Sequence, residues 1–281
     1  MYYTNFFLSR ELTDKIREGF AKIEINGKCN FINENGSILN KQWFDYCYDF
    51  YEGFARVELN GKSNFVNKSG SILNKQWFDD CFDFHEGFAK VVLNNKWSFI
   101  NKDGEVIGKQ WFDYCYDFYE GFARVKLNKK WNFINKDGKL LSEQWLDDCD
   151  GFREGVARIA LNNRCNFIDK DGKFLSEQWF DKCFHFHEGF APVLLNDKWN
   201  FIDKDGNILS KLWFDGCSNF HEGFVVICIG DKYGFINKDG KLLKNQWFDR
   251  CYDFCNGFAK AILDDLTYMI DNNGKLQLYS K

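Results

Sequence analysis

The sequence predicts an all-β protein: eight 34-residue repeats of three short antiparallel strands, stacked as an open β-solenoid or superhelix. Three observations predict it. Gly19, Gly53, Gly87, Gly121, Gly155, Gly189, Gly223 and Gly257 recur at a fixed interval of 34, and a second glycine series runs from Gly36 to Gly274 on the same beat. Self-similarity at such a period marks a repeat architecture. The segments between glycines are too short for the helical pairs that the same period could suggest. Two-residue Asn-Gly pairs stand between runs rich in aromatic and β-branched residues, which is a hairpin signal.

Each repeat is legible in order. A first strand such as FARVKLN alternates small or apolar with charged residues, and a second such as KWNFIN is aromatic and β-branched. Between them stand Asn26-Gly27, Asn60-Gly61, Asn94-Asn95, Asn162-Asn163, Asn196-Asp197 or Gly230-Asp231, residues that tolerate positive φ. The next turn, typified by Asn101–Gly104, suits a type I turn closed by a left-handed glycine. A short third strand such as KLL follows, and then a connecting segment, QWFDxCxDFxEG. A two-residue turn would pair Ala21 with Ile32 and Lys22 with Phe31, leaving apolar side chains on both faces of the hairpin. Such sheets need neighbours on both sides, so successive repeats should stack through Phe and Trp columns. The one proline, Pro192, replaces Lys or Arg in a first strand. Because it cannot donate to a ladder, that N–H should face solvent or a bulge, with the strand exposed there.

The chain reads as one array over 1–281, with residues 1–17 as an N-terminal cap, repeats counted from 18 and residues 256–281 as a C-terminal cap unit. Atypical ends favour an open array over the alternative, a closed eight-bladed propeller-like ring. In a ring, MYYTNFF would supply a missing strand.

Composition excludes some classes. A net charge of −4 offers no basic field for a nucleic-acid backbone. No stretch is long and apolar enough for membrane insertion. The first residues show no secretory signal, so the expected location is cytoplasmic, with a signal-independent export route left open. Eleven cysteines, seven of them on the 34-residue beat from Cys47 to Cys251, read as buried free thiols in a reducing compartment.

With the repeats aligned, the words KWNFINKDG and EGFA resemble the WG β-repeat family, also called KWG repeats, found in many bacterial proteins. Trp97, Trp131 and Trp199 hold the family tryptophan, and Tyr233-Gly234-Phe235-Ile236 is the best local match. The resemblance covers about residues 16–276. Ser98, Asn132 and Asn200 stand where the family has glycine, and Cys29, Ser63 and Cys165 replace the tryptophan. The resemblance implies a β-repeat interaction module and brings no catalytic residue or cofactor.

The candidate sites fall in columns that repeat along the chain. Asp45, Cys47 and Asp49 could form repeated metal ligands, but capping and packing explain them better, so no metal is expected. The Glu18 to Glu222 series is better read as accepting turn hydrogen bonds than as acid/base catalysts. His185 and His187 form a His-x-His pair without further ligands. What varies between repeats is more informative, because fixed columns build and free columns can present. The candidate binding surface is Tyr46, Tyr48, Tyr51, Phe82, His85, Tyr114, Tyr116, Tyr119, His187, His221 and Tyr252. Tyrosine-rich mixed-charge surfaces suit protein recognition. The expected function is a non-enzymatic scaffold binding a macromolecule, most naturally a protein, with a carbohydrate or cell-envelope module as the alternative. The tryptophan columns are expected to be buried, which counts against sugar stacking.

Overall fold

The computed structural model of the protein describes residues 16–279. Their regular secondary structure is β throughout, in eight small antiparallel sheets and no closed barrel. The proposed N-terminal cap lies almost wholly outside the described residues. The chain divides between Trp145 and Leu146 into two compact units, each described by itself.

Within each unit the hairpins follow the expected register. Ala21 opposes Ile32 and Lys22 opposes Phe31, and the same pairing recurs at Ala191–Ile202 and Pro192–Phe201. Asn26 and Gly27 take φ of 53° and 71°, and Asn196 and Asp197 take 49° and 60°. These left-handed pairs make the tight turns whose twist matches the strands. The Glu column marks a second two-residue turn. The Glu-Gly of each EGF word reverses the chain, Glu52 and Gly53 taking φ of 48° and 90° while Tyr51 pairs with Phe54.

The third strand stands where expected in two repeats, as Val106–Phe112 and Leu276–Leu278. In the others the segment after the second turn makes a single bridge, such as Ile134 to Leu140. The supposed connector is the strand. Its start bonds back to the hairpin before it, as at Ser63–Phe78, and its continuation pairs forward, as at Tyr46–Glu58 and Cys47–Val57. Phe44, Cys47 and Phe50 are all buried at a spacing of three, which a regular strand cannot place on one face. A bulge inserts the extra residue between Cys47 and Phe50, while between Phe44 and Cys47 the chain changes partner, from Cys29 of the preceding hairpin to Val57 of the next. The first hairpin strand is therefore central, not exposed at an edge. Pro192 is tolerated because the ladder opens opposite it. Its carbonyl accepts from Phe184 N–H at 3.0 Å, and at the matching Val226 the N–H donates to a side chain, Ser218 Oγ, at 3.2 Å.

The core lies between successive sheets. In the first unit, Cys29 and Phe31 of one hairpin pack with Phe44, Cys47 and Phe50 of the following strand and with Ala55, Val57 and Val66 of the next hairpin. In the second unit Phe201, Phe214, Phe220, Val225, Ile227 and Ile236 repeat this arrangement. Phenylalanine, not tryptophan, fills these layers. Every tryptophan is half-buried.

Two features were missed in the sequence. Cys29–Cys47 and Cys165–Cys183 are disulfides, with Cα atoms 5.9 Å apart in each. Where the family tryptophan is replaced by cysteine, its sulfur meets the repeated cysteine 18 residues later, so these four are not free thiols. The second feature is a buried asparagine that replaces the family glycine. Asn64 is fully buried, its Nδ2 donates to Asn74 and Gln76 carbonyls at 2.8 and 3.1 Å, and its Oδ1 accepts Phe65 N–H at 2.8 Å. It thus clamps the segment that follows the hairpin. Where Ser98 occupies this position, the segment straightens into a regular strand, Val106–Phe112. Asn64→Ala should strand those carbonyls and one N–H, costing about 1–3 kcal/mol. A lowered urea midpoint with unchanged slope would show it.

Candidate functional site

Within each unit the repeated acidic columns tie neighbouring repeats together. Asp45 is paired with Lys28 of the preceding hairpin and accepts the Asn60 N–H of the next turn at 2.7 Å. Asp79 does the same with Lys62 and Asn94, and Asp215 with Lys198 and Gly230. The Glu of each turn reaches the following repeats: Glu52 accepts Gly87 N–H at 3.1 Å and pairs with Lys102 at 3.0 Å. Glu188 accepts both Glu222 and Gly223 N–H at 2.9 Å and pairs with Lys238 at 3.1 Å. These carboxylates are structural ties.

The lysine hydrogen bond, then the turn N–H, holds Asp45, Asp79, Asp113, Asp215 and Asp249 below the usual carboxylate range. For Glu18 and Glu188 burial pushes upward, but the Lys68 and Lys238 hydrogen bonds with the turn N–H groups outweigh it, and the net shift is downward. A carboxyl whose folded pKa is depressed contributes stability above its unfolded value, near 4, and loses it as pH falls through the folded value. The thermal midpoint should hold from pH 7 to about 5 and fall steadily below about pH 4. A circular-dichroism melt series checks this.

The repeated cysteines that stay free fit packing. Burial raises the thiols of Cys81 and Cys115, and it pushes Cys217 and Cys251 to about 12. They remain protonated thiols at neutral pH.

The candidate residues sit on the strand that precedes each hairpin and on the Glu-Gly turn. Tyr46, Tyr48, Tyr51, His85, Tyr114, Tyr116, Tyr119, His187 and Tyr252 are exposed, whereas Phe82 and His221 are half-buried. They form two lines. Residues beside the turn stack on their counterparts in the next repeat, as Tyr51 on His85 at 5.9 Å and His187 on His221 at 5.3 Å. The other line joins the tryptophan column. In the first unit Phe82, Trp97, Tyr114, Tyr116 and Trp131 form an unbroken run, with ring centroids 4.9 to 5.8 Å apart.

The second column is less free than its variability suggests. Four aromatic members are covered by the residue eight positions later, on the neighbouring strand. Arg56 stands 3.5 Å over the Tyr48 ring, Lys90 5.0 Å over Phe82, Arg124 3.8 Å over Tyr116 and Lys260 5.1 Å over Tyr252. Where the aromatic becomes Asp150, its carboxylate accepts from Arg158 Nε at 2.6 Å. The two positions vary together because the ladder that pairs Cys47 with Val57 makes the next residues, Tyr48 and Arg56, neighbours, as the Tyr116 N–H bond to the Arg124 carbonyl does in its repeat. Burial, followed by the hydrogen bond to Glu58, raises the Tyr48 phenol above its usual range.

The sequence profile described as "WG containing repeat" matches seven consecutive stretches, residues 31–62, 65–97, 97–131, 133–165, 167–199, 201–233 and 233–266. The chain belongs to the WG-repeat family. Within that family it departs from the WG word at most repeats, where the buried asparagine stands for glycine. No curated protein matches the chain. Solved structures similar to this WG-repeat chain share little sequence with it. Apo AztD from Citrobacter koseri has 9% identity and a TM-score of 0.35, with 92% of each chain covered. Hsv2p from Kluyveromyces lactis has 9% identity and a TM-score of 0.33, covering 83% of this chain and 97% of that one. A eukaryotic initiation factor has 10% identity and a TM-score of 0.38, covering 93% and 85%.

Proposed function

We propose that this WG-repeat chain is a non-enzymatic scaffold that binds a protein partner through the variable aromatic surface. The observation that carries the reading is the run from Phe82 to Trp131, five aromatic rings in stacked, edge or tilted contact with exposed tyrosines among them. Rigid amphipathic aromatics supply contact area at low entropic cost, and the arginine and lysine side chains laid over them add a charged rim. The acidic columns are engaged in turn and lysine contacts, which supports a role in assembly over acid/base chemistry. The two disulfides favour an oxidising compartment and withdraw the support that free thiols lent to a cytosolic location.

The test is recovery of partners on immobilised protein, with Tyr46, Tyr48, Tyr114 and Tyr116 all replaced by alanine. A loss of most of the bound material is expected; equal recovery by the folded variant would discard this surface. The half-buried indoles favour a second reading, a carbohydrate or cell-envelope module, because Trp97 and Trp131 lie in the same run as the exposed tyrosines. Quenching of tryptophan fluorescence by soluble glycans, unmatched by any protein partner, would select it.

A further inference from the structure

In the first unit one cluster is self-contained. Phe82 stacks on Trp97 at 5.2 Å, the Lys90 ammonium stands 5.0 Å over Phe82, and the same Nζ reaches Asp117 Oδ2 of the next repeat at 3.0 Å. The lysine is a guest held over Phe82, on which Trp97 stacks, and by a carboxylate. Three repeats along, in the second unit, the aromatic pair is retained as Phe184 and Trp199, 5.5 Å apart. The guest and its acid are both gone, because Pro192 stands for the lysine and Asn219 for the aspartate. Gly216 and Ser218 are also the smallest residues of their columns. The result is an open cavity of about 310 Å3 lined by Phe184, Pro192, Trp199, Ser218, His221 and Asp253, among others.

A carboxylate returns from a different direction. Asp253, one repeat further on, accepts Ser218 Oγ at 2.7 Å and lies 3.8 Å from His221 Nε2, with its side chain 44% exposed. An ionised carboxylate has acceptor capacity beyond those two neighbours. Aromatic faces beside an acid attract alkylammonium groups, and the volume is in the range of small-ligand sites.

We propose that this cavity binds a lysine side chain presented by a partner, in the place that Lys90 fills within its own chain. Phe184 and Trp199 provide the ring faces, Pro192 the apolar floor, and Asp253 the counter-charge positioned by Ser218. The site goes beyond the tyrosine run and is tested without any partner protein.

The full chain is labelled with 5-fluorotryptophan, and the Trp199 resonance is assigned by its disappearance in Trp199→Phe. Titration with Nα-acetyl-lysine methylamide should shift that resonance saturably. Nα-acetyl-norleucine methylamide, with the same chain and no charge, should not. Asp253→Asn should weaken binding about ten-fold. The double variant Pro192→Lys with Asn219→Asp rebuilds the internal guest and should abolish the shift. Equal response to norleucine, a response to glucose oligomers alone, or a silent Trp199 resonance would each overturn the proposal. The wild-type contrast between lysine and norleucine decides it even if a variant fails to fold. A positive titration with undiminished partner recovery by the tyrosine variant would retain this site and discard the other surface.

Discussion

Gly206→Ala is expected to lower the stability of the second unit by about 2–5 kcal/mol, whereas Gly189→Ala in the same unit should cost only about 1–2 kcal/mol. Both glycines have left-handed backbone, at φ of 85° and 91°, so both substitutions carry the strain of a Cβ in that region. The difference is what the new atom meets. At Gly189 nothing lies within 4 Å, but at Gly206 it would fall 1.8 Å from the Leu175 carbonyl oxygen and 2.8 Å from its carbon. That carbonyl is backbone of the preceding repeat, and Leu175 N–H is bonded to Phe167 O at 2.9 Å, so it cannot move without opening the layer. The Asp203 side chain fixes the turn as well, accepting Asp205 and Asn207 N–H at 2.9 and 2.8 Å. Chemical denaturation of the two variants side by side measures the gap; equal losses would show that the repeats do not approach as closely as this contact requires.

Phe84→Ala should cost about 3–5 kcal/mol, the range for truncating a buried phenylalanine. Its ring is 1% exposed and joins two repeats, stacked on Phe54 of the preceding hairpin at 4.7 Å and edge-on to Phe65 at 5.0 Å. Removing it leaves a void in the layer between two sheets, where neighbours from separate strands cannot close in together. Tyr119→Ala, at a residue 61% exposed, should stay within about 0.5 kcal/mol. Urea unfolding of both variants, read on the transition of the first unit, separates core from surface. A loss at Tyr119 as large as that at Phe84 would mean that the variable column builds the fold.

Much of the fold was legible because turn chemistry is local. Asn26-Gly27 declares a left-handed pair, and its length then sets Ala21 opposite Ile32 without further information. The connecting strand was not legible. Phe44, Cys47 and Phe50 recur every three residues, which is neither the period of a strand nor that of a helix, and it takes a change of partner after Phe44 and a bulge after Cys47 to bury all three. The coupling of Tyr48 to Arg56 was hidden with it, because the ladder that pairs Cys47 with Val57 brings the two together only once this segment is a strand. The signal existed as an aromatic and a cation eight residues apart, repeated at Phe82 and Lys90 and at Tyr116 and Arg124. The disulfides also left a trace, since Cys29 and Cys165 each precede a repeated cysteine by 18 residues. In a chain with eleven cysteines that interval does not by itself specify pairing.

The tryptophans divide the two kinds of knowledge. Their periodic placement suggested buried columns, yet phenylalanine occupies the layers and every indole lies half out of them. Hydrophobicity predicts that a residue is withdrawn from water on average; it does not say which of two large aromatics in one word meets the neighbouring sheet. Period, turn type, hairpin register and family membership follow from the order of residues, since each depends on chemistry within a few positions or on repetition. Which columns face the next repeat, which cysteines meet, and where a cavity opens depend on side chains brought together from separate repeats. At Phe184 and Trp199 that distinction is sharpest: the residues are ordinary members of their columns, and only the packing shows that Pro192 and Asn219 have left their guest's place open.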